Sequence, residues 1–242
     1  MRRALLVVPL LVAFLSVPAA RSFAAAGCAP GGTPAPAGAG TRLGVPPACG
    51  GVSDLDGDGL PDTLWVGQFR DTPPNQARTN RVLGITTASG ANSVVQISSA
   101  SPIPLAALAI DAQNDGGNQI IVSDGRGARL YTFAECQLQA VVDSQGTPFV
   151  FDLQNLRGHG TGVGCSDLGP PSIGRHLVGL QALEDGGRWT VRRTEIDLYG
   201  TLATIGQSDT VTAASAQDPA VVSAQTISCG DLTISKDGVR QP

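Results

Sequence analysis

Asp54-Leu55-Asp56-Gly57-Asp58-Gly59-Leu60-Pro61-Asp62 is the stretch from which the rest of the chain is read. Carboxylates stand at its first, third, fifth and ninth positions, at Asp54, Asp56, Asp58 and Asp62. Gly57 and Gly59 permit the positive φ values that a chain needs to fold back around a small centre. Acids held this close repel one another unless a cation lies among them. Calcium takes about six to eight oxygen ligands at about 2.3–2.6 Å. The expected cage has one side-chain oxygen each from Asp54, Asp56 and Asp58, the Leu60 carbonyl, and both oxygens of Asp62.

The loop is not an EF-hand. That motif ends a twelve-residue loop on a Glu between two helices. Here the twelfth position is Trp65, and Thr63 to Gly67 reads as a strand. A D-x-D-x-D-G-x-x-D loop that feeds a strand resembles the FG-GAP repeat of integrin α chains, also called VCBS. The resemblance implies that the loop joins the first two strands of a β-propeller blade and holds calcium.

Further copies follow. Asp111, Gln113, Asp115 and Gln119 fall at the same four positions, at an offset of 111 − 54 = 57, and Gly116 repeats Gly59. The Gly117 carbonyl takes the place of that of Leu60, so this second site is expected to hold calcium more weakly, with fewer charged ligands. A third copy opens at Asp167, offset 167 − 111 = 56, and runs through Gly169, Pro171 and Arg175, which supply no anionic oxygen. A fourth start, Ser228-Cys229-Gly230-Asp231-Leu232, comes just before the end of the sequence. A period in the fifties with a recurring loop marks a repeat architecture. The repeats begin near residues 49, 105, 161 and 225.

Between the loops the chain reads as all-β, with turn residues at short intervals and no helical periodicity. Expected strands in the first repeat are 51–55, 63–68, 81–88 and 93–98. The second repeat has 105–110, 119–123, 128–135, 138–143 and 148–153. The third has 162–167, 176–183, 188–198 and 201–205, and a last strand covers 220–227. Asp185-Gly186-Gly187 marks a hairpin turn. The fold expected is β-propeller-like: about three four-stranded antiparallel blades and a partial fourth. Three blades and a fragment leave sheet edges open to a partner or a second copy.

The regions outside this domain have their own signatures. Residues 1–26 read as a secretory signal, with Arg2 and Arg3 ahead of an apolar run and Ala24-Ala25-Ala26 before Gly27. That run is short for a membrane span. Residues 27–48 are rich in Gly, Pro and Ala and read as an extended leader; 49–242 form the repeat domain. Ala25-Ala26-Gly27-Cys28 is a loose lipobox, which would place a lipid on Cys28. Lys236 is the one Lys among 16 basic residues. With abundant Ala, Gly and Pro, this bias fits a high-GC bacterial genome of the actinobacterial kind. A net charge of −4 leaves no basic footprint for nucleic acid or anionic lipid.

Five cysteines, at 28, 49, 136, 165 and 229, suit an exported protein with disulfides. Cys136 and Cys165 flank one repeat junction and are expected to pair; Cys49 would then join Cys28 or Cys229. No C-x-x-C spacing points to a metal site.

Catalytic signals are weak. Gly158-His159-Gly160-Thr161-Gly162 is similar to the histidine motif of subtilisin-like proteases, but Gly162 replaces that motif's second His and no serine block accompanies it. No G-x-S-x-G elbow or phosphate loop is present. His176 opens a strand and reads as structural. Nothing in the sequence selects an acid–base pair among Glu135, Glu184 and Glu195. The resemblance therefore implies an exported, calcium-binding, non-catalytic protein that mediates adhesion or protein or glycan recognition at the cell envelope. The rival readings are a secreted hydrolase or lyase on a propeller scaffold, and a purely structural envelope module.

Overall fold

The computed structural model describes residues 27–43, 54–69, 81–153, 161–168 and 174–242. Residues 1–26, read above as a secretory signal, Cys49 and the Gly158-His159-Gly160 segment lie outside them. The described chain is all-β, built from antiparallel sheets, and no closed ring of sheets is present among these residues.

The first sheet runs β1 (Gly40–Leu43), β2 (Thr63–Gln68), β3 (Arg81–Thr86), β4 (Asn92–Ile97), each paired with the next. The second has β5 (Ala106–Ile110), β6 (Gln119–Ser123), β7 (Gly127–Ala134) and β8 (Gln137–Ala140), with β9 (Val150–Asp152) also pairing with β7. The third runs β10 (Thr161–Ser166), β11 (His176–Asp185), β12 (Arg188–Tyr199), β13 (Leu202–Ala213). A helix, α1 (Pro219–Ser223), and a ribbon of β14 (Ser228–Cys229) and β15 (Leu232–Thr233) follow. Finally β16 (Val239–Arg240) returns to pair with β5.

The sheets stack in a row, and the strand sequences show why. Ile120, Ile121 and Val122 form an unbroken apolar run in β6, as a strand covered on both faces requires. Ile120 and Val122 pack with Leu64, Val66, Leu83 and Ile85 of the first sheet. Ile121 turns the other way, onto Leu177 and Ile196 of the third. The far face of the third sheet buries Val178, Leu180 and Val191 against Val221 and Ala224 around α1. Burying one such aliphatic side chain contributes about 1.5–3 kcal/mol.

Local choices agree with this arrangement. Trp65 is wholly buried beside its cross-strand partner Gly84. A Cβ on Gly84 would lie 2.0 Å from the indole, so only Gly admits the ring. The β11–β12 hairpin turns on Gly186 and Gly187, with φ of 55° and 82°, as the two-residue type I′ turn demands.

Several expectations are corrected. Of the strand expected at 51–55, residues 51–53 lie outside the described residues and Asp54 and Leu55 lie in the loop; the strand that pairs with β2 on that side is Gly40–Leu43 from the leader. The leader is thus part of the fold, and Gly31 bridges Ala91 beside the β3–β4 turn. The strand expected at 220–227 is α1 and the turn after it. Asp218 caps that helix by accepting from the Ala220 amide, and Pro219 stands in the first turn, which suits a helix start. The fourth repeat start forms only the β14–β15 ribbon. β13 runs on to Ala213, beyond the expected 205.

The cysteine pairing is also corrected. Cys28 bonds Cys136, and Cys165 bonds Cys229. The first bond ties the leader to the β7–β8 turn, and the second ties β10 to β14, where the ribbon lies along it. Cys28 therefore has no thiol for a lipid. Two disulfides fit an oxidising compartment. Among the described residues no helix is long and apolar enough to cross a membrane.

Candidate metal centre

The acidic loop precedes β2, and its carboxylates are held by the backbone of the loop itself. Asp54 Oδ1 accepts from the amides of Gly57 (2.6 Å) and Asp58 (3.0 Å), and its Oδ2 from Gly59 (2.7 Å). Asp58 Oδ1 accepts from the Leu60 amide at 2.7 Å. Asp56 Oδ2 accepts from the amide of Cys28 at 2.9 Å, so the leader seats against the loop. One oxygen each from Asp54, Asp56 and Asp58 falls within 4.8 Å of the others.

Asp62 takes a different part. It is 2% exposed. Its Oδ2 accepts from the amides of Leu55 (2.7 Å) and Asp56 (3.2 Å), and its Oδ1 from Ala88 (2.8 Å). Both oxygens expected to close the cage are engaged in clamping the loop to the β3–β4 turn. Burial pushes the Asp62 carboxyl above its ordinary value; the amides of Ala88 and Leu55 oppose this, and the charge of Asp56 adds to it. Leu60 points its side chain outward, 53% exposed.

The second loop, between β5 and β6, repeats four of these bonds. Asp111 accepts from the amides of Asp115 (3.2 Å) and Gly116 (3.0 Å), as Asp54 does from Asp58 and Gly59. Asp115 Oδ1 accepts from Gly117 at 2.8 Å, as Asp58 does from Leu60. Gln119 Oε1 accepts from Ala112 at 2.9 Å, as Asp62 does from Leu55. Gly57 and Asn114 share a positive φ, and so do Gly59 and Gly116. Gln113, the counterpart of Asp56, is half-buried. The Gln119 amide nitrogen donates to the Gly117 carbonyl at 2.9 Å. That carbonyl and that side chain, both expected as ion ligands, therefore satisfy each other.

The third loop, between β10 and β11, is one residue longer. Nine residues separate the paired Ser166 and His176 (176 − 166 − 1), against eight between Ile110 and Gln119 (119 − 110 − 1). His176 thus stands where Gln119 and Asp62 stand in the earlier repeats. Arg175 reaches back to the second loop, donating to the carbonyls of Asp111 (2.7 Å) and Ala112 (3.0 Å) and to Asn114 Oδ1 (2.6 Å). Residues 169–173 of this loop lie outside the described set.

The structure also brings together two residues that the sequence did not connect. His176 Nδ1 lies 2.8 Å from Glu195 Oε1, on neighbouring strands. Only the register of β11 on β12 makes them neighbours, and no local motif could have signalled it. Comparison with protein families, with curated proteins and with solved structures found no match.

Proposed function

We propose that this chain is an exported, calcium-stabilised interaction module of the FG-GAP kind, with a β-propeller-like arrangement of blades. The observation that carries the reading is the shared bonding pattern of the two loops. Each sits at the entry to the second strand of a four-stranded meander, 57 residues apart. Such a loop recurs at one place in successive blades of that family.

The first loop suits a hard cation. Three carboxylates converge in an all-oxygen donor set, and calcium selects oxygen ligands. Asp54, Asp56 and Asp58 would hold the ion, while Asp62 orders the loop beneath it. The second loop has two acids, and the Gln119 amide already bonds its inner carbonyl. It is the weaker site. Bound calcium supplies charge neutralisation that lets the loop and the leader pack on the sheet edge; it carries out no chemistry.

The biological role that follows is recognition at the cell envelope, of a protein or glycan partner. β13 is the edge at which a second copy would add: it is twelve residues long, pairs with β12, meets Val142 only at its start through Leu202 and Ala203 among the described residues, and exposes Ile205 at 65%. Calcium titration calorimetry on the processed protein tests the metal reading, and pull-down from envelope extract with calcium or chelator tests the role. Heat unchanged in Asp56→Ala would overturn the first; capture unaffected by both calcium and removal of the leader would overturn the second.

A further inference from the structure

We propose that His176, Glu195 and Asp197 form a second metal site, of a different class, on the third sheet, for a divalent first-row transition ion such as zinc. One ligand atom from each lies within 4.8 Å of the others. His176 and Asp197 are cross-strand neighbours, one step beyond the paired Leu177 and Ile196. Glu195 and Asp197 alternate along β12 and share a face. Glu195 sits at an irregularity in the ladder, where Thr194 pairs with Ser208 and Ile196 with Ile205, so Gly206 and Gln207 both stand opposite it. Bulges of this sort re-aim a side chain and gather next to functional sites.

Three observations distinguish this group from an ordinary surface ion pair. Both ring nitrogens of His176 are buried: Nδ1 lies 2.8 Å from Glu195 Oε1, and Nε2 has no hydrogen-bond partner among the described residues. A buried ring nitrogen without a partner is a costly group that a metal would satisfy. The Glu195 side chain is only 6% exposed. Arg193, two residues away on the same face, is committed to Asp209 and to Ser166 Oγ, so it does not neutralise the pair of carboxylates. Gly206 adds to these: a Cβ there would lie 2.8 Å from Asp197 Oδ2, so the missing side chain makes the space in which that carboxylate sits.

The donor set names the metal class. Imidazole nitrogen suits zinc, copper, iron and nickel, whereas calcium prefers oxygen alone. Two carboxylates and a neutral imidazole carry two negative charges, which a divalent ion balances. Ligands at about 2.0–2.2 Å from a tetrahedral ion stand about 3.3–3.6 Å apart, and the three ligand atoms here already lie within 4.8 Å of one another. Three protein ligands leave a fourth position for water.

The test uses the processed protein with Cys49→Ser, stripped of metal, with calcium added in excess so that the acidic loop does not compete. Zinc should raise the melting temperature, and cobalt should give visible absorption without a thiolate band. His176→Asn, Glu195→Gln and Asp197→Asn should each weaken cobalt binding at least about tenfold. Gly206→Val, which removes no ligand, should weaken it too, while Asp56→Ala should leave it unchanged. The proposal fails if cobalt gives no spectrum and zinc no shift with the parent protein. It fails equally if Glu195→Gln and Gly206→Val bind as the parent does. Because calcium binding is read separately, loss of one site leaves the other reading standing.

Discussion

Arg175 donates from Nη2 to the carbonyl of Asp111 at 2.7 Å, and Asn118 donates to the carbonyl of Asp54 at 3.1 Å, across the same span of 64 residues (175 − 111 and 118 − 54). Each loop is thus held by the residue just before the second strand of the following sheet. The loops form a ladder along the stack, and the repeat extends to how the sheets grip one another. Arg175→Ala removes donors to two carbonyls and to Asn114 and should destabilise by about 1.5–3 kcal/mol, read as a lower urea midpoint. Arg175→Lys should recover only part, since an ammonium lacks the planar fork.

Calcium should act on stability through the first loop. A ligand at a hundredfold excess over its Kd stabilises by about 2.7 kcal/mol when it binds only the folded state. Chelator should lower the melting temperature of the parent protein and leave that of Asp56→Ala unchanged. Asp115→Ala should keep most of the calorimetric heat. Equal loss in the two variants would count against unequal sites.

Non-reducing peptide mapping should recover Cys28 with Cys136 and Cys165 with Cys229. These bonds span 108 and 64 residues. In the loop-entropy model each is worth about 4–5 kcal/mol. Cys28→Ser with Cys136→Ser should also weaken calcium binding, because the Cys28 amide bonds Asp56. The Cys165 and Cys229 pair should affect stability alone.

Glu135 and Cys136 form the two-residue turn between β7 and β8 with φ of 53° and 62°. Left-handed backbone costs an L-residue about 1–2 kcal/mol. Glu135 is exposed, so Glu135→Gly should stabilise by about 1 kcal/mol in thermal melts. A fall in melting temperature would show that the side chain has a role beyond the turn.

Asp124 sets an acid limit. Burial works to raise its pKa. Hydrogen bonds from Ser99, Gly127 and Arg126 and the charge of Arg129 outweigh that and hold it below the ordinary carboxylate value. A carboxyl depressed in the folded state contributes stability that is present above its unfolded value, about 3.9, and is lost as pH falls through the folded one. Asp124→Asn should therefore be less stable than the parent at neutral pH, and the gap should narrow below about pH 4. A gap independent of pH would assign the effect to packing.

The sequence by itself determined the all-β class and most of the strands. β2 and β6 begin and end where the apolar pattern and turn residues put them, and Asp54 to Asp62 and Asp111 to Gln119 fold into loops with several backbone hydrogen bonds in common. These are local properties: side-chain period, glycine at positive φ and carboxylates at alternate positions. Tertiary structure decided what depends on partners distant in the chain. Gly40–Leu43 carries too little apolar pattern to announce a strand, and it becomes one because β2 has an open edge beside it. Asp62 is an expected ligand by spacing, and the fold adds what spacing could not announce, a bond from the Ala88 amide 26 residues away. Four cysteines found their partners through sheet stacking, which brings Cys28 to Cys136 over 108 residues. His176 and Glu195 meet only because β11 pairs with β12 in one register, and a shift by a single residue would turn them to opposite faces.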